Sequence, residues 1–414
     1  MNGVSLNFFR SGLFWFASVF SCLASDWQEW RGPTRNGHAA TGENPPTQWS
    51  ETKNIKWKTP VPGRGHSSPT VIENQIILTT ADEQAQTQMV LSFDRNNGRQ
   101  QWQTVVHQGN LPERIHKKNT HASPTATCDG EKIFVVFFNS TDVYLTALNR
   151  EGAILWQVKT GEFHSKYPFG FAASPVLYKD SVIVTSEYEE GGYIAAFRKS
   201  DGSEIWRTPR TAGTSYSSPV VARVAGKEQL LISGQSRLSS YDPANGRELW
   251  HASGSSPATC GTMVWSGDTV FASGGFPNKE TIAIRADGSG EVLWKNGEKC
   301  YEQSMLYVDG FLYALNDGGI AFCWNATTGE EMWKVRLRGP VSASPVYAGG
   351  KIYAVNEQGT CFVFHPDPSG YRETARNQLG ESGFASPSIV DNRIYIRTAF
   401  HGQGGEEFLY CIGE

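Results

Sequence analysis

Two histidines, a tyrosine and a glutamate recur at one repeated position of this chain, and they are its clearest candidates for chemistry. Eight short elements each enter an apolar run. Six carry Ser-Pro: HSSPTV (66–71), HASPTA (121–126), AASPVL (172–177), YSSPVV (216–221), SASPVY (342–347) and FASPSI (384–389). Two are degenerate copies, TCGTMV (259–264) and EQSMLY (302–307). Their leading residues are His66, His121, Ala172, Tyr216, Thr259, Glu302, Ser342 and Phe384. Positions kept for structure alone would be small and repetitive, whereas these hold two imidazoles, a phenol and a carboxylate. Imidazole titrates near neutrality, and it ligates metals or moves protons. Two long irregular stretches accompany the set. One follows Trp102 and carries His107, Arg114, His116, Lys117 and Lys118; the other follows Trp156 and carries His164, Lys166 and Tyr167. Long loops on a rigid scaffold are where binding residues concentrate. The candidate ligand-binding set is therefore Arg64, His66, His116, Lys117, His121, Tyr167, Tyr216 and Glu302, around one mouth. Its basic, aromatic rim suits a small anionic or saccharide ligand.

The elements that must position these residues follow from a second repeat. A turn followed by tryptophan recurs as FDRNNGRQQW, LNREGAILW, RKSDGSEIW, YDPANGRELW, RADGSGEVLW and WNATTGEEMW. These copies place Trp102, Trp156, Trp206, Trp250, Trp294 and Trp333, and NIKWKTPV adds Trp57 without a preceding turn. Between them lie β-rich runs such as KIFVVFF and SVIVTS, punctuated by Gly, Asp and Asn turns, with no helical period. Four strands in about 45 residues make one propeller blade. The composition agrees: 43 Gly against 5 Met, with 12% aromatic and 19% charged residues, excludes coiled coils and disorder. The expected fold is an all-β, eight-bladed propeller of four-stranded antiparallel blades. The eighth unit lacks a fourth strand, and residues 54–61 supply one, so the N-terminal strand closes the ring and hides its edges. Blade seven has no tryptophan (YRETARNQLG).

The turn-tryptophan repeat resembles the docking repeat of pyrroloquinoline-quinone (PQQ) proteins over about residues 54–414. The segment WQEWRGPTRNG (27–37) is similar to the opening of exported PQQ-like propellers of bacteria such as planctomycetes. The resemblance implies that the seven tryptophans are structural, each indole packed between blades with its N–H on a backbone acceptor. It also implies two functional branches. One is the quinoprotein dehydrogenases, which hold PQQ with Ca²⁺. The other is the non-catalytic propeller lipoprotein of outer-membrane assembly. The alcohol dehydrogenases of the first branch have vicinal cysteines, and this chain has none. No catalytic residue is carried over, and no cofactor is expected, PQQ with Ca²⁺ being the alternative. On that alternative Glu302 and His121 would supply the carboxylate and the base.

Residues 1–25 read as a secretory signal peptide: one Arg, then an apolar run too short to span a bilayer. Residues 26–53 form an N-terminal extension, and 54–414 the propeller. Phe20 fits a lipidation signal at Cys22 badly. Six further cysteines lack metal-binding spacing, so no metal site is expected; Cys260 and Cys300 either bridge or remain buried thiols. A net charge of −4 does not call for nucleic acid. The leading expectation is a non-catalytic, monomeric binding or scaffolding module of the periplasm or cell envelope. It has no transmembrane span, and it binds an envelope protein or a small ligand. A PQQ- and Ca²⁺-dependent dehydrogenase acting on a sugar or alcohol is the alternative.

Overall fold

A computed structural model describes Met1 and residues 26–165, 167–210, 213–401 and 405–414. The expected signal peptide and Cys22 lie outside the described residues, as does Lys166. Thirty-two strands form eight four-stranded antiparallel sheets, and among the described residues there is no helix. Each of blades 1 to 7 is a meander of four consecutive strands. Blade 1, for example, runs through Thr70–Ile72, Gln75–Asp82, Thr87–Asp94 and Gln100–Gln108. Blade 8 joins the two ends of the propeller. Its strands Ser388–Val390, Arg393–Ala399 and Glu407–Ile412 take Ile55–Val61 as the fourth, with Trp57 opposite Cys411. The ring is therefore closed by the N-terminal strand, as the repeat count requires.

Burial follows from this stacking. Middle strands are packed on both faces by neighbouring blades, so runs such as QIILTTAD are buried almost throughout. Outer strands face solvent along one edge, and QQWQTVVHQ contains no fully buried residue.

The turn-tryptophan repeat acts between blades. In the first copy Asp94 Oδ1 accepts the Asn96 and Asn97 amides at 2.8 and 3.1 Å, an Asx turn that ends at Gly98. Gly98 has φ +72° and lies against the Trp57 ring; a Cβ there would meet it at 2.5 Å. Only glycine meets both demands. The indole N–H of Trp57 then reaches Arg95 O at 3.1 Å. Trp102, Trp156, Trp206, Trp294 and Trp333 bond carbonyls of Arg150, Lys199, Pro243, Ala326 and Asp367 in the same way. Trp250 departs from the pattern. It donates to Gln229 Oε1 at 2.6 Å, and Gln229 Nε2 carries the link onward to Ala286 O. In blade 7, Ala375 stands opposite Val363 where other blades place tryptophan. Trp49, from the extension, is buried in the same core cluster.

The N-terminal extension crosses one face of the ring and touches every blade. Trp27 exchanges backbone hydrogen bonds with Val71 in blade 1, and Gln28 O accepts Cys128 N in blade 2. Arg35 donates to Leu177 O and Val221 O in blades 3 and 4. Trp30 donates to Thr262 Oγ1 in blade 5, and His38 lies 2.8 Å from Tyr307 O in blade 6. The Tyr347 backbone of blade 7 bonds Gly37 and Ala39, and Glu43 accepts the Asp391 amide of blade 8 at 2.8 Å.

Candidate functional site

The central channel is a well, closed below by the extension. Its floor is Trp30 and its volume is about 370 Å³. A tier of hydroxyls surrounds the floor. Ser68 N donates to Thr125 Oγ1, Thr125 N to Ser174 Oγ and Ser174 N to Ser218 Oγ. The chain resumes from Thr262 through Ser304, Ser344 and Ser386 back to Ser68, each bond 2.8–3.1 Å. Seven such bonds lace the eight blades. At the junction of blades 4 and 5, Thr262 Oγ1 accepts the Trp30 indole instead.

The tier above holds the predicted mouth residues, with two corrections. His66, Ala172, Tyr216, Glu302, Ser342 and Phe384 line the well as expected. In blade 2 the lining residue is Ser123, not His121; in blade 5 it is Cys260, not Thr259. The hydroxyl tier shows why. Thr125, not Ser123, is the blade 2 member, so the Ser-Pro pair sits two residues early and His121 is carried out of the channel. Its imidazole occupies a separate recess with Ile115, Pro124 and Phe138, 3.9 Å from Glu83. Thr262 likewise fixes Cys260 at the mouth of blade 5.

The rim brings some of the other candidates in. His116 lines the well edge-on to Phe169, at 5.3 Å between centroids. Tyr167 stacks behind Phe169 at 5.2 Å rather than facing the well. Lys117 offers its carbonyl to Arg64 Nη2, and Arg64 lies in a neighbouring crevice with Arg397 and Glu407. Neither lines the well. Lys118, Phe169, Phe276 and Tyr301 line it without having been singled out as site residues. His107 ends a blade 1 strand, wedged between Tyr144 and Phe137.

The lysine of the well is already paired. Lys118 Nζ lies 2.6 Å from Glu357 and 3.9 Å from Glu302. Ser342 Oγ contacts both carboxylates, Glu357 at 2.7 Å and Glu302 more closely. One hydroxyl proton cannot serve two carboxylates. Burial raises the Glu302 carboxyl, against the opposing pull of Lys118. His66 stacks on Phe384 at 4.4 Å, and burial beside Arg64 and Arg397 holds it neutral. Burial pushes the Cys260 thiol far up, so it is no nucleophile. All six described cysteines are free, so Cys260 and Cys300 do not bridge.

His107 gives a pH test. Burial pushes it down to about 4, and Nε2 is buried without a partner. The folded state therefore binds fewer protons than the unfolded chain between pH 6.5 and about 4, and acidification through that window costs stability. His107→Phe is expected to flatten the fall in melting temperature between pH 6.5 and 4.5. An unchanged slope would place the acid sensitivity elsewhere.

The family model described as outer membrane protein assembly factor BamB, a PQQ-repeat model, matches residues 36–144, 87–306 and 278–399. This chain belongs to that family. A BamB of Bordetella pertussis is 23% identical over 333 residues, covering 77% of each chain. One from Burkholderia pseudomallei is 23% identical over 188 residues, 42% of this chain; there the match spans about half, 47%, of the relative's length. Among solved structures, BamB from Moraxella catarrhalis superposes with TM-score 0.60 at 16% identity, over 85% of this chain and 98% of that one. A europium-containing methanol dehydrogenase gives 0.70 at 11%, over 94% and 98%. These likenesses show a fold that the BamB family shares with quinoprotein dehydrogenases. The well offers few acidic oxygens to a Ca²⁺-bound quinone. No group of three or more His, Cys, Asp or Glu among the described residues could hold a metal ion. Among the described residues the one carboxylate lining the well, Glu302, is engaged by Ser342 beside the Lys118 ammonium.

Proposed function

We propose that this chain is an exported, non-catalytic binding module of the periplasm or cell envelope, and that the well above Trp30 is its ligand seat. The carrying observation is the well itself: concave, walled by Tyr216, Phe169, Phe276, Tyr301 and Phe384, and floored by an indole supplied from outside the repeats. Small-molecule sites have this form, mostly apolar with a few placed polar groups. The paired Glu302, the stacked His66 and the inert Cys260 support binding over proton transfer or nucleophilic attack. The BamB relatives, named for outer membrane protein assembly, support an envelope setting and an envelope protein partner on the outer surface.

The test is a thermal-shift screen of small aromatic and saccharide compounds against the wild-type protein and Ala172→Phe. Ala172 lines the well and is part-buried, so a benzyl group there fills space without removing a hydrogen bond. A binder that raises the wild-type melting temperature saturably, and shifts the variant at least tenfold less at equal concentration, is expected. Equal shifts in both proteins would place binding outside the well.

A further inference from the structure

The link between blades 1 and 2 is longer than the ring needs. Six of the eight links from an outer strand to the next inner strand take eight to ten residues, whereas the link from Gln108 to Thr127 takes eighteen. Both of its ends are pinned. Gly109 N donates to Gln86 O at 2.6 Å, Ser140 N donates to Asn110 O at 2.8 Å, and Leu111 is buried. At the other end Asn119 Nδ2 donates to Phe169 O at 2.6 Å, and Asn119 Oδ1 accepts Thr120 N at 2.8 Å. Between the pins, Glu113, Arg114, His116 and Lys117 are exposed.

This exposed middle lies over the mouth of the well. His116 and Lys118 line the well together with its floor, Trp30. The backbone of Lys118 hydrogen-bonds the His66 imidazole of blade 1. Its side chain reaches on across the ring. Lys118 Nζ meets Glu357, in a blade 7 turn, at 2.6 Å, and Glu302, at the entry of blade 6, at 3.9 Å. The three side chains are only 23%, 11% and 21% exposed. A segment that leaves blade 1 is thereby tied to the far rim, past blade 8. Among the described residues, every hydrogen bond and ion pair from 112–118 to blades 6 and 7 runs through this ammonium. Pinned ends, an exposed middle and one tie on the opposite rim are the parts of a lid.

We propose that residues 112–118 are a lid over the well, latched by Lys118 on Glu357 and Glu302, and that a ligand enters when the latch releases. This rests on the reading of the well as a ligand seat and adds how that seat is entered. A compound that touches both the wall and the lid gains the lid contacts only in the latched state, so it favours closure.

Cys260 is a probe already in place. It lines the well and is part-buried, whereas the other five described cysteines are buried. N-Ethylmaleimide is uncharged, and its rate of addition to Cys260 in the folded full-length protein times entry into the well without any ligand. Mass spectrometry of the Cys260 peptide reads that rate. In Lys118→Met it is expected to rise fivefold or more over wild type at the same pH. Loss of a nearby cation lowers the thiolate share, so a rise reports access and not reactivity. Lys118→Arg, which keeps the cation, should stay within about twofold of wild type. If Lys118→Met fails to fold, Glu357→Gln frees the same latch, and faster hydrogen exchange of the 112–118 amides carries the same expectation. Equal labelling of Lys118→Met and wild type, or no labelling of Cys260 in either, would overturn the lid. These rates need no bound compound, so the two readings fail separately. Faster labelling of Lys118→Met with no compound binding in the well would support the lid and count against the ligand seat. Compounds that bind in the well, with equal labelling rates, would overturn the lid alone.

Discussion

Arg397→Met is expected to lower the unfolding free energy by about 3–5 kcal/mol, because it strands a buried carboxylate. Arg397 and Glu407 are 2% and 7% exposed in their side chains and are bonded to each other in blade 8. Arg397 also donates to Thr79 O at 2.7 Å and Thr80 Oγ1 at 3.2 Å, and Glu407 accepts Gly65 N at 3.3 Å. Those partners belong to blade 1 and the chain entering it, so the pair fastens the seam where the ring closes. Arg397→Met leaves Glu407 in a site where burial already raises its carboxyl. The double variant Arg397→Met, Glu407→Met removes both charges and should recover most of the loss, since apolar replacement of a whole buried pair is often near neutral. Urea midpoints of the single and double variants measure this. Arg285→Met is the control: its pairs with Asp268 and Glu291 are exposed, and a change within about 0.5 kcal/mol is expected. A double variant as unstable as the single would show that the hydrogen bonds to blade 1, not the stranded charge, hold the seam.

Trp294→Ala should cost a similar amount, about 3–5 kcal/mol, through the cavity it leaves. The indole is 9% exposed, lies face-on to Gly329 of the next blade and donates to Ala326 O at 2.8 Å. Trp294→Phe keeps most of the apolar contact and loses the hydrogen bond, so about 1 kcal/mol is expected. Thermal unfolding of the two variants separates packing from hydrogen bonding. Equal losses would mean that the N–H link, and not the stacked indole, couples blades 5 and 6.

The fold was legible because each link leaves a mark in the residue string. The Asp-to-Gly turn, the tryptophan and the alternating strands recur, and the orphan strand around Trp57 matches the gap at the chain's end. The site was legible in part. Six of eight lining positions followed from the Ser-Pro elements, and two failed where a Ser-Pro pair or a Thr fell out of step with the ring. A better marker was present. The left-handed turn residue comes five residues after the ring hydroxyl in seven blades: Glu73, Gly130, Lys179, Gly267, Asp309, Gly349 and Asp391. Counting back five from Gly130 reaches Thr125, which puts Ser123 at the mouth and His121 outside it. The same count from Gly267 reaches Thr262. Blade 4 breaks the rule because its inner strand is five residues long, Val220–Val224. The floor was not legible. Trp30 and Arg31 lie outside the repeats, and nothing in their spacing states that the extension passes beneath all eight blades. The pairing of Lys118 with Glu357 joins residues 239 apart in sequence, on a rim loop and a blade 7 turn, so neutralisation of the basic rim could not be read from composition.

The most direct measurement is a crystal structure of the protein with the compound that gives the largest saturable shift in the screen. Density over the Trp30 indole, with ligand oxygens within hydrogen-bond distance of Ser68, Thr125, Ser174, Ser218 or Ser386, is the expected result. Density on the outer strands or in the Arg64 crevice, with the well empty, would contradict the assignment of the well as the ligand seat.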